Sequence, residues 1–190
     1  MVFERLTHAF AQACASPNQM SPAQYFRIAL ELLARAPCRL LIVGAGNDTE
    51  LYVRANAHGR TVVVECHSDW LDGIRKLDCE PVLVTYRTQV RRPPLEPCSV
   101  PDGIPASVLE EKWDVILVDG PEGWRPDAPG RQQSVFLASQ LARANTVVFL
   151  HDYERSLERA FAEKYLKAPD EIHGEKRLLA VFRYSEPSSS

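Results

Sequence analysis

LLIVGAGNDTELYVRANAHGRTVVVEC, residues 40–66, is the stretch on which the fold turns. Two short apolar runs, RLLIVGAG at 39–46 and TVVVEC at 61–66, flank a helical-looking segment at 48–57. Apolar runs of this length without polar alternation predict strands covered on both faces. The first run ends in Gly44-Ala45-Gly46, which reads as a tight turn. Strand, glycine turn, helix and strand together make a βαβ unit with parallel strands and a right-handed crossover.

The same alternation continues outward. Residues 68–77 read as a helix capped by Ser68, and PVLVTYRT at 81–88 as a third strand. A proline-rich loop at 91–105 and a helical turn at 106–111 lead to DVILVDG, a fourth strand at 114–120. A second Pro/Gly-rich loop, PEGWRPDAPG at 121–130, precedes a helix at 131–143 and a fifth strand, TVVFL, at 146–150. A helix over about 153–166 and a last strand, RLLAVFRY at 177–184, read as antiparallel or edge, close the pattern. Upstream, Phe3, Leu6, Phe10 and Cys14 share a helical face within 1–14. Ser21-Pro22 starts a second helix that runs to about Arg35, with Tyr25, Ile28, Leu32 and Leu33 on one face. The expectation is an N-terminal helical segment over 1–37 and one α/β domain over 38–185. That domain is a single Rossmann-like, doubly wound, mostly parallel sheet with an antiparallel edge strand. A tail at 186–190 follows.

Composition narrows the functional classes. The chain has 190 residues, 45% of them hydrophobic, and a formal net charge of −3. A dedicated nucleic-acid binder shows a basic excess, so no nucleic-acid partner is expected. No apolar run reaches the ~18 residues of a membrane span, and the N-terminus lacks a signal-peptide core. A cytoplasmic protein without a membrane partner is therefore the expectation. Five cysteines with no CxxC pair argue against a disulfide framework and against a structural zinc site.

Sheets of this class bind ligands at the carboxyl ends of their strands, so those ends hold the candidate residues. Glycines 44 and 46 would let backbone N–H groups approach a ligand, although Thr49 breaks the full G-x-G-x-x-G pattern. Glu65 ends the second strand 19 residues after Gly46, where an acidic side chain binds both hydroxyls of a ribose. Asp119 ends the fourth strand, and His151 and Asp152 end the fifth. If those strands are neighbours, two acids and an imidazole converge on one spot. Trp124, Arg125 and Arg131 lie in or beside the loop after Asp119, where they either shape a pocket for a sugar ring or a carboxylate or serve as loop packing, with Arg131 anchoring the loop to the following helix. Trp70 and Trp113 read as core or helix-flank residues.

These residues carry a resemblance. LLIVGAGNDTELYVRANAHGRTVVVEC, DVILVDGPEGWRPDAPGR and VVFLHDYERSLERAFAEKYL resemble three blocks of the glucuronoxylan 4-O-methyltransferase family, across roughly 38–166. The VDGP, PGR and HD-x-x-R motifs occur in order, with Arg155 completing the last. The resemblance implies a class I S-adenosylmethionine-dependent methyltransferase fold and O-methylation of a sugar acid. Gly44, Gly46, Asp48 and Glu65 match its cofactor-side motifs. Asn47 stands where the family often has His, and Cys66 and His67 where it has an acidic pair, which puts Asn47 and Cys66 at the cofactor edge. The implied chemistry is methyl transfer from S-adenosylmethionine to a hydroxyl of a small or saccharide acceptor, carboxylate-bearing where the loop arginines bind it. The proton would go to His151 or Asp119. Alternatively, Asp119 and Asp152 would hold a divalent cation that acidifies the hydroxyl. Two rivals share parts of the pattern: a nicotinamide-dependent oxidoreductase and a family member that binds a ligand or partner without turnover.

Overall fold

Among the described residues, seven strands form one sheet in the order β3-β2-β1-β4-β5-β7-β6. The computed structural model describes residues 2–15 and 20–185. The tail at 186–190 and the expected apolar contact of Phe3 lie outside what it describes. In chain order the elements are α1 (Val2–Ala15), α2 (Pro22–Arg35), β1 (Arg39–Val43), α3 (Thr49–Ala55), β2 (Arg60–Glu65), α4 (Ser68–Ile74) and β3 (Glu80–Leu83). There follow α5 (Ala106–Leu109), β4 (Val115–Val118), α6 (Gln132–Leu141), β5 (Val147–His151), α7 (Ser156–Tyr165), β6 (Glu171–His173) and β7 (Leu179–Arg183).

The first five strands run parallel, and β7 pairs antiparallel with both β5 and β6. The sheet is thus the doubly wound arrangement expected, with its antiparallel edge. Alternation along each central strand feeds two cores. Leu40, Ile42, Val63, Leu117 and Phe149 pack under α2 and α3 with Ile28, Leu32, Leu51 and Tyr52. Leu41, Val43, Val62, Ile116, Val118 and Leu150 pack against α6 and α7 with Val135, Leu137, Ala138 and Phe161. Each such side chain contributes about 1.5–3 kcal/mol on full burial, so the sheet ends are held on a stiff base. The N-terminal helices share the first of these cores. Ser21 caps α2 through a reciprocal pair with Gln24, and Pro22 occupies its first turn.

Register decides where the site lies. Val43 sits beside Val64 and Val118, and Val118 beside Leu150. The next residues therefore stand along one rim, with Glu65 and His151 ending their strands and Gly44 and Asp119 just past theirs.

Three expectations needed correction. Ser68 is the first residue of α4 instead of its cap; His67 holds the cap position and makes no side-chain cap bond. The third strand stops at Leu83 instead of running to residue 88, because Thr85 turns out of the sheet to pair with Asp102 in the proline-rich loop. A short strand, β6, had not been expected at all. Among the described residues, no helix is long and apolar enough to cross a membrane.

Candidate functional site

Close approach of two backbones shapes the floor of the site. Gly44 has φ of +105°, and a Cβ there would lie 2.6 Å from the Cα and N of Gly120. A Cβ on Gly120 would lie 2.5 Å from the Cα of Gly44. The two strand ends touch through glycine alone, and Asp119 N–H donates to Val43 O at 2.9 Å beside them. The turn's amides do not face a ligand as the sequence suggested. Gly44 N–H donates to Val64 O, Ala45 N–H to Glu65 Oε2 and Gly46 N–H to Thr49 Oγ1. The glycines provide room and close backbone contact, and the ligand-facing polarity comes from side chains.

Above this floor opens a cavity of about 700 Å³. Gly44, Gly46, Asp48, Glu65, Asp119, Trp124, Arg131, His151 and Asp152 all line it. Asn47 and Cys66 do not, and neither does Arg125. Asn47 is exposed to solvent at the turn. Cys66 meets Glu65 through its backbone N–H. Arg125 lies over the Trp124 ring at 5.3 Å and pairs with Glu122.

Glu65 is buried and held by three backbone N–H groups, from Ala45 at 2.9 Å, Cys66 at 2.6 Å and His67 at 2.8 Å. Its carboxylate is thereby fixed at the cavity wall. Asp48 precedes α3 but makes no side-chain cap. Its carboxylate accepts from Tyr52 Oη at 3.2 Å. Burial, and next the nearby charge of Asp119, push its pKa up to about 7.

On the other side, His151 Nδ1 and Asp119 Oδ1 are 2.8 Å apart. Burial alone would lower the imidazole's pKa. The charge and hydrogen bond of Asp119, with Asp152 adding to them, outweigh burial and raise it above its ordinary value. Burial would likewise raise the Asp119 pKa, but His151, Arg131 and Arg155 together bring it below the usual range. His151 Nε2 and Asp152 Oδ1 are buried without a hydrogen-bond partner.

Arg131 is 4% exposed and anchors the site instead of offering a free fork. Its guanidinium donates to the carbonyls of Pro121, Asp119 and His151 and pairs with Asp119 at 3.1 Å and Asp152 at 2.8 Å. It ties the ends of β4 and β5 together. Arg155 also meets Asp152, at 2.9 Å, and its Nη1 has no hydrogen-bond partner. The carboxylate pair thus already faces two guanidiniums, which compete with a cation for its oxygens, while Asp119, His151 and Asp152 each offer a ligand atom within 4.8 Å of the others.

Several wall residues were missed or misplaced from sequence. Trp70 lines the cavity at 42% exposure rather than packing at a helix flank, whereas Trp113 is core as expected. His67, Glu122, Arg155 and Arg177 complete the wall. Arg155 was visible in the HD-x-x-R motif. Arg177 carried no signal, because it arrives on the turn between β6 and β7.

The family model described as IRX15/IRX15L/GXM matches residues 26–94 and 96–182. Glucuronoxylan 4-O-methyltransferase 2 of Arabidopsis thaliana is 32% identical over 158 residues, covering 70% of this chain and 54% of that protein. Arabinogalactan O-methyltransferase 2 of the same plant is 29% identical over 191 residues, covering 83% and 66%. The chain spans about half to two-thirds of the length of these relatives. Among solved structures, the O-methyltransferase from Bacillus cereus in complex with SAH superposes with a TM-score of 0.56 at 16% identity, covering 95% of this chain and 89% of that one. That likeness shows the fold to be the Rossmann-like one of methyltransferases.

Proposed function

The chain belongs to the IRX15/IRX15L/GXM family, and from that premise we propose that it is an S-adenosylmethionine-dependent O-methyltransferase acting on a saccharide hydroxyl. The observation that carries this reading is the Asp119–His151 pair, with Nε2 unpartnered, on the same cavity as Glu65 and the glycine floor. Two relatives bear the names of O-methyltransferases of glucuronoxylan and arabinogalactan, which supports a polysaccharide acceptor.

Glu65 would accept from the ribose hydroxyls of the cofactor, with Gly44, Gly46 and Asp48 bordering the rest of it. When bound, S-adenosylmethionine supplies a methyl group already activated on a sulfonium. The protein's own work is then to align the acceptor oxygen and remove its proton. With Nδ1–H donating to Asp119, the neutral imidazole keeps Nε2 free to take the hydroxyl proton. Asp119 fixes that tautomer and stabilises the imidazolium, and Arg131 fixes Asp119. Trp124, 68% exposed, offers a face for a sugar ring. For a carboxylate on the acceptor, Arg155 and Arg177 take the place of Arg125 and Arg131, since they line the cavity.

A second reading has one observation in its favour. Two of the site's buried atoms without a hydrogen-bond partner, His151 Nε2 and Asp152 Oδ1, are ligand types for a divalent metal that accepts an imidazole. Bound there, such an ion would act as a Lewis acid on the acceptor hydroxyl. Turnover that survives exhaustive chelation assigns the proton to His151 directly. Loss restored by a divalent ion assigns the activation to the metal.

The deciding experiment incubates the chain with methyl-labelled S-adenosylmethionine and unmethylated fragments of glucuronoxylan or arabinogalactan, beside calorimetry with S-adenosylhomocysteine and NAD. Label transferred to a fragment is expected. Binding of S-adenosylhomocysteine without transfer to any acceptor would favour a non-catalytic member, and binding of NAD alone an oxidoreductase. Within the same assay, Glu65→Ala removes charge-assisted hydrogen bonds of about 1.5–3 kcal/mol each. Affinity for S-adenosylhomocysteine is expected to fall at least ~10-fold. Unchanged affinity in a folded variant would take Glu65 out of the cofactor site.

A further inference from the structure

Gln24 is fully buried, yet its side chain makes more polar contacts than helix capping requires. Its Oε1 accepts from Ser21 N–H at 2.8 Å, which closes the cap of α2. Its Nε2 donates across the chain to His173 O at 2.9 Å and to Arg177 O at 2.7 Å. These carbonyls flank the turn between β6 and β7. Gly174 has φ of +107°, and a Cβ there would lie 2.6 Å from Gln24 Nε2 and 2.3 Å from Arg177 O. The turn is therefore wrapped tightly around one amide group. On its far side the same segment is tied to the catalytic rim, where Leu178 N–H donates to Glu154 Oε2 and Tyr153 N–H donates to Leu178 O. Between these two anchors stands Arg177, on the cavity wall with Arg155 and Trp124.

We propose that Gln24 is a positioning residue for the acceptor side of the site: it locks the β6–β7 turn so that Arg177 holds its place on the cavity wall. The role of Arg177 in acceptor binding rests on the reading above, whereas the lock itself does not. Gln24 stands two residues before the stretch matched by the family model, 26–94. The N-terminal helices accordingly do more than cover the sheet, because one of them sets a wall of the active site through an amide at its first turn.

Gln24→Glu separates the two duties of this side chain. It keeps the oxygen that accepts from Ser21 N–H and replaces the donor with an oxygen facing two carbonyls. Hydrogen exchange at the 174–178 amides is expected to quicken at least ~10-fold, with the α2 amides unchanged. In the fragment assay, acceptor KM should rise about 10-fold while affinity for S-adenosylhomocysteine stays within twofold. In an Arg177→Ala background the same substitution should leave KM where Arg177→Ala put it. Should Gln24→Glu not fold, Gln24→Leu takes its place; it loses the donor and also the oxygen that accepts from Ser21 N–H, so Ser21→Ala, which weakens the cap alone, is its control and should leave exchange at 174–178 unchanged. Unchanged exchange at 174–178 would overturn the lock. Faster exchange with unchanged KM, or an effect on KM that persists without Arg177, would overturn the positioning role. A wild-type chain that methylates neither fragment would count against the methyltransferase reading, and the exchange result would then decide the lock.

Discussion

His151→Ala is expected to lower methyl-transfer turnover by about 10³-fold, within the 10²–10⁴ range of a lost general base, while S-adenosylhomocysteine binds as in the wild type. The argument rests on division of labour. Nε2 is buried and unpartnered, Nδ1 is tied to Asp119 at 2.8 Å, and Glu65 stands on a different strand end. Asp119→Asn should cost less, about 10²-fold, because the imidazole keeps a neighbour but loses the charge that stabilises its protonated form. The pH profile supplies the signature. The base must be neutral to act, so kcat/KM should rise with pH through an inflection above 6.5, the ordinary histidine value from which Asp119 raises it. In Asp119→Asn the burial that opposes protonation is no longer outweighed, and the inflection should move to lower pH. Stability runs the other way. A raised folded pKa contributes stability that is complete below the unfolded value near 6.5 and is lost as pH rises through the folded one. Wild-type turnover in His151→Ala, or a profile unmoved in Asp119→Asn, would remove the pair from catalysis.

The largest effect on stability is expected at the glycine contact. In Gly44→Ala the new Cβ must enter a space 2.6 Å from the Gly120 backbone, with φ of +105° besides. Overpacking of this kind costs about 1–3 kcal/mol, and a side chain in that backbone region about 1–3 more. The loss is a large share of the 5–15 kcal/mol typical of a domain. The neighbour is backbone on both sides, so no rotamer change relieves it. Gly120→Ala should behave alike, its Cβ 2.5 Å from the Gly44 Cα. Gly73→Ala is the control, with nothing within 4 Å of its Cβ, and should be neutral or stabilising by up to about 1 kcal/mol. Denaturant midpoints that moved equally in Gly44→Ala and Gly73→Ala would show that the contact is not tight.

Legibility in the sequence followed burial. The four central strands are unbroken apolar runs, and their period and glycine punctuation predicted them within a few residues. The sheet order then made Glu65, Asp119, His151 and Asp152 findable, because crossover rules put their strand ends on one rim. The edges were less legible. Glu171-Ile172-His173 has a single apolar residue, which carries no periodicity. PVLVTYRT read as a longer strand than the chain forms, since the bond from Thr85 to Asp102 is a contact between segments that no local pattern encodes. The same limit explains the arginines. Its loop left Arg131 open between binding a carboxylate and anchoring the fold, and three backbone carbonyls with the half-buried Asp119 and the buried Asp152 decide for the anchor. Arg177 reaches the cavity, and Gln24 reaches the turn that carries it, only through a hairpin seen in three dimensions.

The two rims of the sheet also bear on how copies of the chain meet. At the β3 rim, Val84 N–H points inward to Glu65 O, and Thr85 points outward to Asp102. By alternation, the outward positions of β3 are Pro81 and Leu83. Pro81 has no N–H to give, and Thr85 has already spent its own. At the opposite rim β6 is only three residues long and carries Glu171 and His173. Neither rim offers the row of unpaired donors that templates an incoming strand. Edge-to-edge sheet extension is thereby discouraged at both sides, and concentrated solutions of the folded chain should resist fibre formation.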